Sequence, residues 1–168
     1  MASQSHSGRL VVGLISDTHG LLREEAVNAL QGADMILHAG DIDIPDVLEG
    51  LRAVAPLVAV RGNMDFGRLR RELPESDIVE AADQLIYIIH EIDRIDLDLA
   101  AADISAVVYG HSHRPRIETR QGVLFINPGS AGPRRFSYPV TVARVIIRDG
   151  QLKAEIVDVD TQAILKQS

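Results

Sequence analysis

LVVGLISDTHG, residues 10–20, is the stretch on which the fold turns. Leu10–Ser16 runs apolar almost without interruption and then breaks into Asp17-Thr18-His19-Gly20. A run of this kind is the pattern of a strand buried on both faces, as in a parallel sheet covered by helices. Outward from it, Leu21–Gln31 places Leu22, Ala26 and Leu30 on one helical face. Met35–Ala39 is a second buried strand. Pro45 suits the first turn of a second helix, with Val47, Leu51 and Val54 facing inward, and Leu57–Arg61 is a third strand. The β-α-β-α-β order predicts a parallel sheet with right-handed crossovers.

The pattern then changes. Asp77–Glu80 and Gln84–His90 read as strands, followed by a loop, a short helix near Leu97–Ala102 and a buried strand at Ala106–Tyr109. Arg116–Arg120 and Val123–Asn127 flank Gln121-Gly122. Thr141–Arg148 and Leu152–Asp158 flank Asp149-Gly150, which suits a type I′ hairpin turn. The second part is therefore expected to be largely antiparallel, giving two packed sheets with helices outside.

The 168 residues suit one domain spanning residues 1–168, and 46% are apolar, enough for a sizeable core. With no Cys, disulfides, thiolate metal sites and Cys nucleophiles are excluded. A net charge of −7 weighs against nucleic acid as a stable partner and against membrane surfaces. No apolar run approaches the length of a bilayer span. Met1–Gly8 is polar without a signal-peptide core, and reads as a flexible end. A cytoplasmic location follows by default, and a homo-oligomer stays open.

The chemistry sits at the strand ends. Leu10–Ser16 ends in Asp17-Thr18-His19, Met35–Ala39 in Gly40-Asp41, and Leu57–Arg61 in Gly62-Asn63. Leu85–Ile89 ends in His90, and Ala106–Tyr109 in Gly110-His111-Ser112-His113. Ligands of α/β sheets bind beyond the carboxyl ends of strands, so one edge should collect carboxylate, imidazole and amide oxygen. These are good ligands for hard or borderline divalent metals. Asp-x-His alone is weak evidence, and a strand-terminal Asp is more often a helix cap than a ligand. The joint pattern carries the weight.

In this order the motifs resemble those of the calcineurin-like metallophosphoesterases. The Ser16–Gly20 opening and Asn127-Pro128-Gly129-Ser130 are similar to the YfcE-like phosphodiesterase branch. The resemblance implies a four-layer αββα sandwich of two mixed β-sheets flanked by helices. It implies two divalent metal ions, manganese first, with iron, nickel, zinc or cobalt as alternatives. Asp17, His19, Asp41 and His113 would hold one ion. Asp41 would bridge to a second, held also by Asn63, His90 and His111, and Asn63, His90 and His111 would do the catalytic work. A metal-bridging hydroxide would attack the phosphorus of a small phosphate ester. Two divalent ions against Asp17, Asp41 and hydroxide leave the site at about +1, which explains how an acidic protein attracts phosphate.

Two positions depart from many relatives. Met64 stands where a proton-donating His often follows Gly-Asn, and Glu91 follows His90 in place of Gly. Met64 favours diesters with good leaving groups over monoesters. Glu91 could narrow the site or offer an extra carboxylate, and facing solvent is the favoured reading because exposed Glu is the common case. His38 and Arg61 are weaker candidates for substrate contact. For His38 a buried, hydrogen-bonded role weighs equally, and for Arg61 an ordinary surface arginine is the simpler reading. Arg114, Arg134 and Arg135 could approach a substrate phosphate, with scattered surface charge the simpler reading for most of them. Asp43 and Asp46 are read as capping or starting the helix that carries Pro45, and Asp65 as a turn residue or a partner of the Asn63 loop. The rival reading is a non-catalytic interaction module on the same fold, like the retromer subunit, whose ligand set is incomplete. Here all seven ligand positions are filled.

Overall fold

The structure is a computed structural model and describes residues 8–168, so the N-terminal segment expected to be flexible lies, but for Gly8, outside the described residues. The apolar run at Leu10 forms β1 (Leu10–Ile15), followed by α1 (Glu24–Leu30), β2 (Met35–His38), α2 (Asp46–Arg52) and β3 (Leu57–Ala59). Then come α3 (Gly67–Glu72), β4 (Ser76–Ala81), β5 (Gln84–Ile89), β6 (Ile104–Val108), β7 (Arg116–Arg120) and β8 (Val123–Asn127). The chain closes with β9 (Thr141–Arg148), β10 (Gln151–Asp158) and β11 (Ile164–Gln167).

Two mixed sheets result, a six-stranded one ordered β11-β10-β9-β1-β2-β3 and a five-stranded one ordered β4-β5-β6-β8-β7. Alternation along each strand decides which residues meet between them. Val12 and Leu14 of β1, Leu37 of β2, Ile86 and Ile88 of β5, Val108 of β6 and Ile126 of β8 form the apolar layer shared by the sheets. The opposite face of the first sheet packs Ile15 and Ile36 against Ala26 and Leu30 of α1 and Leu48 and Leu51 of α2. Removing this apolar surface from water at ~25 cal/mol per Å² is the main force holding the layers together.

The second part differs from expectation in its strand pairing and in three of its elements. β5, β6 and β8 run parallel, and only β4–β5 and β7–β8 are antiparallel in this sheet. The hairpin turns fix neighbouring strands, but the chain between β5 and β6 crosses the outer face before returning, which makes those strands parallel. That crossing is a 3₁₀ turn at Ile92–Arg94 followed by turns, and not a helix at Leu97–Ala102. Its Ile92, Ile95, Leu97 and Leu99 cover Tyr87, Val107 and Phe125. α3 and β11 had no counterpart in the sequence reading. In α3 only Leu69 is buried, and every residue of β11 is exposed, so neither carries a periodic apolar signal.

The parallel strands β1, β2, β3, β5 and β6 all end at one edge. There the loops after β1 and β2 continue to pair: Asp17 N donates to Gly40 O (3.0 Å), His19 N to Asp41 O (3.0 Å) and Gly20 N to Ile42 O (2.8 Å). Across the other sheet Gly110 N donates to His90 O (3.0 Å). The backbone that carries the polar residues is thus an extension of the sheets.

Candidate metal centre

Asp17, His19, Asp41, His111 and His113 all adopt left-handed backbone conformations, with φ of 54°, 45°, 58°, 73° and 61°. Such φ values are costly for non-glycine residues and cluster at functional sites. The glycines of the motifs give room. Gly40 has φ of 99°, and a Cβ there would lie 2.8 Å from His90 Nδ1 and 2.7 Å from the Gly62 nitrogen. At Gly110 a Cβ would collide with the Ser16 hydroxyl and approach Asp17 Oδ2 to 2.6 Å.

The side chains converge as two groups. Asp17, His19 and His113 each offer one donor atom within 4.8 Å of the others, and so do Asp41, His90 and His111. Asn63 joins the second group, its Oδ1 lying 3.0 Å from His90 Nε2 and 3.1 Å from His111 Nδ1. Asp41 stands between the groups: its Oδ2 is 3.2 Å from His90 Nε2 and 3.8 Å from His19 Nε2. The seven residues expected as ligands are therefore brought together.

Asp17, His19, Asp41 and His90 are each oriented by their other atom, whereas His113 Nδ1 is buried without a hydrogen-bond partner among the described residues. Asp17 Oδ2 accepts from the Ser16 hydroxyl (2.6 Å) and from the His111 amide (3.2 Å). Asp17 Oδ1, by contrast, is buried and accepts no hydrogen bond among the described residues. It lies 3.3 Å from His113 Nε2 and 3.8 Å from His19 Nε2. His19 Nδ1 faces Asp43 Oδ2 at 3.3 Å, which turns Nε2 to within 3.4 Å of His113 Nε2. Asp41 Oδ1 accepts from Met64 N (2.8 Å), leaving Oδ2 for the centre. His90 Nδ1 donates to Ala39 O (2.7 Å), leaving Nε2. A buried oxygen without a donor and two imidazole nitrogens facing each other call for a cation or a proton between them. The donor set of carboxylate, imidazole and amide oxygen fits two divalent ions of the hard or borderline kind.

The same convergence explains the proton affinities. Burial opposes charge on Asp41, but its contact with His90 and the Met64 amide outweigh this and hold the carboxyl below the usual range. Burial likewise opposes charge on His90, yet Asp41 and Asp17 raise its proton affinity above that of an ordinary histidine.

His38 sits under the site and not in it. It is fully buried; one ring nitrogen lies 3.0 Å from Thr18 Oγ1 and the other accepts from Gly40 N (3.1 Å). Burial lowers its pKa to about 3, so it stays neutral. With both nitrogens engaged it has no group free for substrate, and the substrate-contact reading gives way to the buried, hydrogen-bonded one. Arg61 donates to Leu73 O (2.7 Å) and lines a cleft with Asn63, His90, Arg70 and Arg94. Glu91 is half-buried and lines that same cleft, where solvent exposure had been expected.

Two residues do more than the sequence revealed. Asp43 supports His19 as described, where helix capping had been expected. Asp65 is fully buried and accepts four backbone N–H bonds: from Asp41 (3.0 Å) and Gly62 (2.8 Å) on one oxygen, and from Ile42 (2.8 Å) and Asp43 (2.9 Å) on the other. It clamps the Asp41 loop to the Asn63 loop. The Asn127–Ser130 turn also borders the centre: Ser130 Oγ donates to Asp17 O (3.0 Å) and Asn127 Nδ2 to Gly110 O (3.1 Å). A larger cleft of 640 Å³ at the opposite end of the sheets contains no histidine, and Asp103 is its one carboxylate residue, so its lining cannot assemble a comparable centre.

A family model described as the calcineurin-like phosphoesterase superfamily domain matches residues 10–150. A probable metallophosphoesterase of Methanothermobacter thermautotrophicus is 33% identical over 167 residues, covering 88% of this chain and 92% of the relative. A phosphodiesterase of Methanocaldococcus jannaschii is 28% identical over 136 residues, covering 70% and 82%. Among solved structures, the YfcE phosphoesterase of E. coli superposes with a TM-score of 0.74 at 23% identity, covering 95% of this chain and 98% of that one. Vacuolar protein sorting 29 of Cryptosporidium parvum superposes with a TM-score of 0.79 at 19% identity, covering 95% and 97%. These two likenesses concern the fold.

Proposed function

The chain belongs to the calcineurin-like phosphoesterase superfamily, and from that premise we propose that it is a phosphodiesterase working through two divalent ions. Asp17, His19, His113 and Asp41 would hold one ion, and Asp41, Asn63, His90 and His111 the other. Manganese is the first candidate. The observation that carries the reading is the position of Asp41 Oδ2 between two imidazoles, with a buried Asp17 oxygen that accepts no hydrogen bond among the described residues. When bound, such ions supply Lewis acidity to water and to a phosphoryl group.

The chain's own residues fix where that chemistry happens. The Ala39 carbonyl and Asp43 select which nitrogens of His90 and His19 face the centre. Asp65 holds the two loops that deliver Asp41 and Asn63. No proton donor stands at position 64, since Met64 has none, so turnover is expected to fall steeply as the leaving alcohol becomes more basic; a positioned acid is typically worth 10²–10⁴-fold. A small phosphate ester as substrate and a cytoplasmic location belong to the same reading.

Hydrolysis of bis(p-nitrophenyl) phosphate, with and without Mn²⁺, tests the proposal. Manganese-dependent, chelator-sensitive turnover supports it, and none under any divalent metal sinks it. The interaction-module reading is kept in view by one observation: Ile44, Met64 and Phe66, on the loops beyond Asp41 and Asn63, are exposed apolar side chains. It predicts metal binding without turnover.

A further inference from the structure

Beyond the ligand histidines lies a second recess of about 260 Å³, walled by Tyr109, Ser112, Arg114, Arg116, Arg120 and Tyr138. Ser112 stands between His111 and His113 in the chain, and Arg114 follows His113, so two of its walls come from the loop that carries two of the ligand histidines. Three guanidiniums line it, and no carboxylate is among its walls; one carboxylate outside them pairs with two of the three. Glu118 pairs with Arg120 (2.8 Å) and with Arg116 (3.1 Å). Arg114 has no carboxylate within pairing distance among the described residues. Its Nε and one terminal nitrogen both donate to the neutral Tyr138 hydroxyl, at 3.3 and 2.7 Å, and its guanidinium lies 5.4 Å from the Tyr138 ring centre. The recess thus carries an excess of two positive charges in a chain whose net charge is −7.

Edge strands often carry charged side chains that block pairing with other chains, and this explains Arg116 and Arg120 on β7. It does not explain Arg114, which lies outside the strand and is held by a tyrosine 24 residues away. A planar guanidinium fixed by a neutral partner keeps its charge and free N–H groups for a planar or tetrahedral anion.

We propose that this recess is an anion subsite that binds a second acidic group, a phosphate or a carboxylate, carried on one ester arm of the substrate. The proposal rests on the phosphoesterase reading and narrows it to diesters bearing a further negative charge. The test uses two chromogenic esters differing by one phosphate: thymidine 5′-(p-nitrophenyl phosphate), with and without a 3′-phosphate. On the manganese-loaded protein, kcat/KM for the 3′-phosphorylated ester should be higher by about tenfold or more. Arg114→Ala should bring that ratio to about one. Tyr138→Phe, which keeps the ring and removes the oxygen that fixes Arg114, should lower it part of the way. Arg114 is exposed, so its replacement leaves the fold intact. A wild-type ratio near one, or a ratio unaffected by Arg114→Ala, overturns the subsite.

If neither ester is turned over, and bis(p-nitrophenyl) phosphate is not hydrolysed under any divalent metal either, the phosphoesterase reading fails instead. Whenever neither ester is turned over, the subsite is decided by calorimetric binding of thymidine 3′,5′-bisphosphate against thymidine 5′-monophosphate. Tighter binding of the bisphosphate that Arg114→Ala abolishes supports the subsite, and equal binding refutes it.

Discussion

Replacing Asp65 by Asn changes one oxygen of a buried side chain to an amide nitrogen, and the structure gives a sharp expectation for the result. Each carboxylate oxygen accepts two backbone N–H groups at 2.8–3.0 Å. The Asn oxygen can keep two of them, while the new amide nitrogen faces two N–H donors and satisfies neither. Two hydrogen bonds to a charged acceptor are lost, each worth about 1.5–3 kcal/mol, so the loss is roughly 3–6 kcal/mol. For a domain of this size that lowers Tm by about 10 °C or more. The Asp41 and Asp43 backbones, with φ of 58° and 67°, lose the acceptor that holds them, so the metal site loosens too. Manganese affinity should fall about 10–100-fold, the usual effect of removing a group that orients a ligand. Thermal unfolding of the chelated protein and calorimetric manganese titration of both proteins are the assays. A variant melting within about 2 °C of wild type, with unchanged manganese affinity, would refute the clamp.

Two further outcomes follow from the same geometry. Gly40→Ala places a Cβ at φ of 99° and 2.8 Å from His90 Nδ1, so it should displace His90 and lower manganese affinity and diester turnover together; wild-type values in both would contradict the packing. His38 gives the pH dependence. Its folded pKa of about 3 lies below the unfolded 6.5, so its contribution is complete above pH 6.5 and is lost as pH falls toward 3. Between pH 6.5 and 5 the loss is about 2 kcal/mol. His90, with its pKa raised, acts in the opposite sense and loses its contribution as pH rises. Urea unfolding of chelated wild type and His38→Gln should show a shallower acid limb in the variant; parallel curves would refute the assignment.

The long apolar strands, the flanking helices and the polar residues at the strand ends were readable because each leaves a local pattern. β1 at Leu10 and the Asp149-Gly150 hairpin are the clearest cases. The parallel pairing of β5, β6 and β8 was not readable, because it depends on where the chain crosses between them and not on any residue within them. α3 and β11 bury too little to leave a periodicity. At the site, each expected ligand ends a strand and was named from its type and place. Asp65 was readable only as far as a bond within the Asn63 loop, which Gly62 N supplies; its bonds to Asp41, Ile42 and Asp43, and the contact of Asp43 with His19, join residues more than 20 positions apart. Nothing in their local sequence distinguishes them from turn aspartates. His38 was ambiguous for a related reason: burial, which decides its role, is a property of the packed sheet.

Counting manganese per chain after removal of free ion, together with the electron paramagnetic resonance spectrum of the bound ions, tests the paired centre most directly. Two ions with an exchange-coupled spectrum, and loss of that coupling with reduced occupancy in Asp41→Asn, is the predicted result. One ion or none in the wild type, or two uncoupled ions that Asp41→Asn leaves in place, would contradict it.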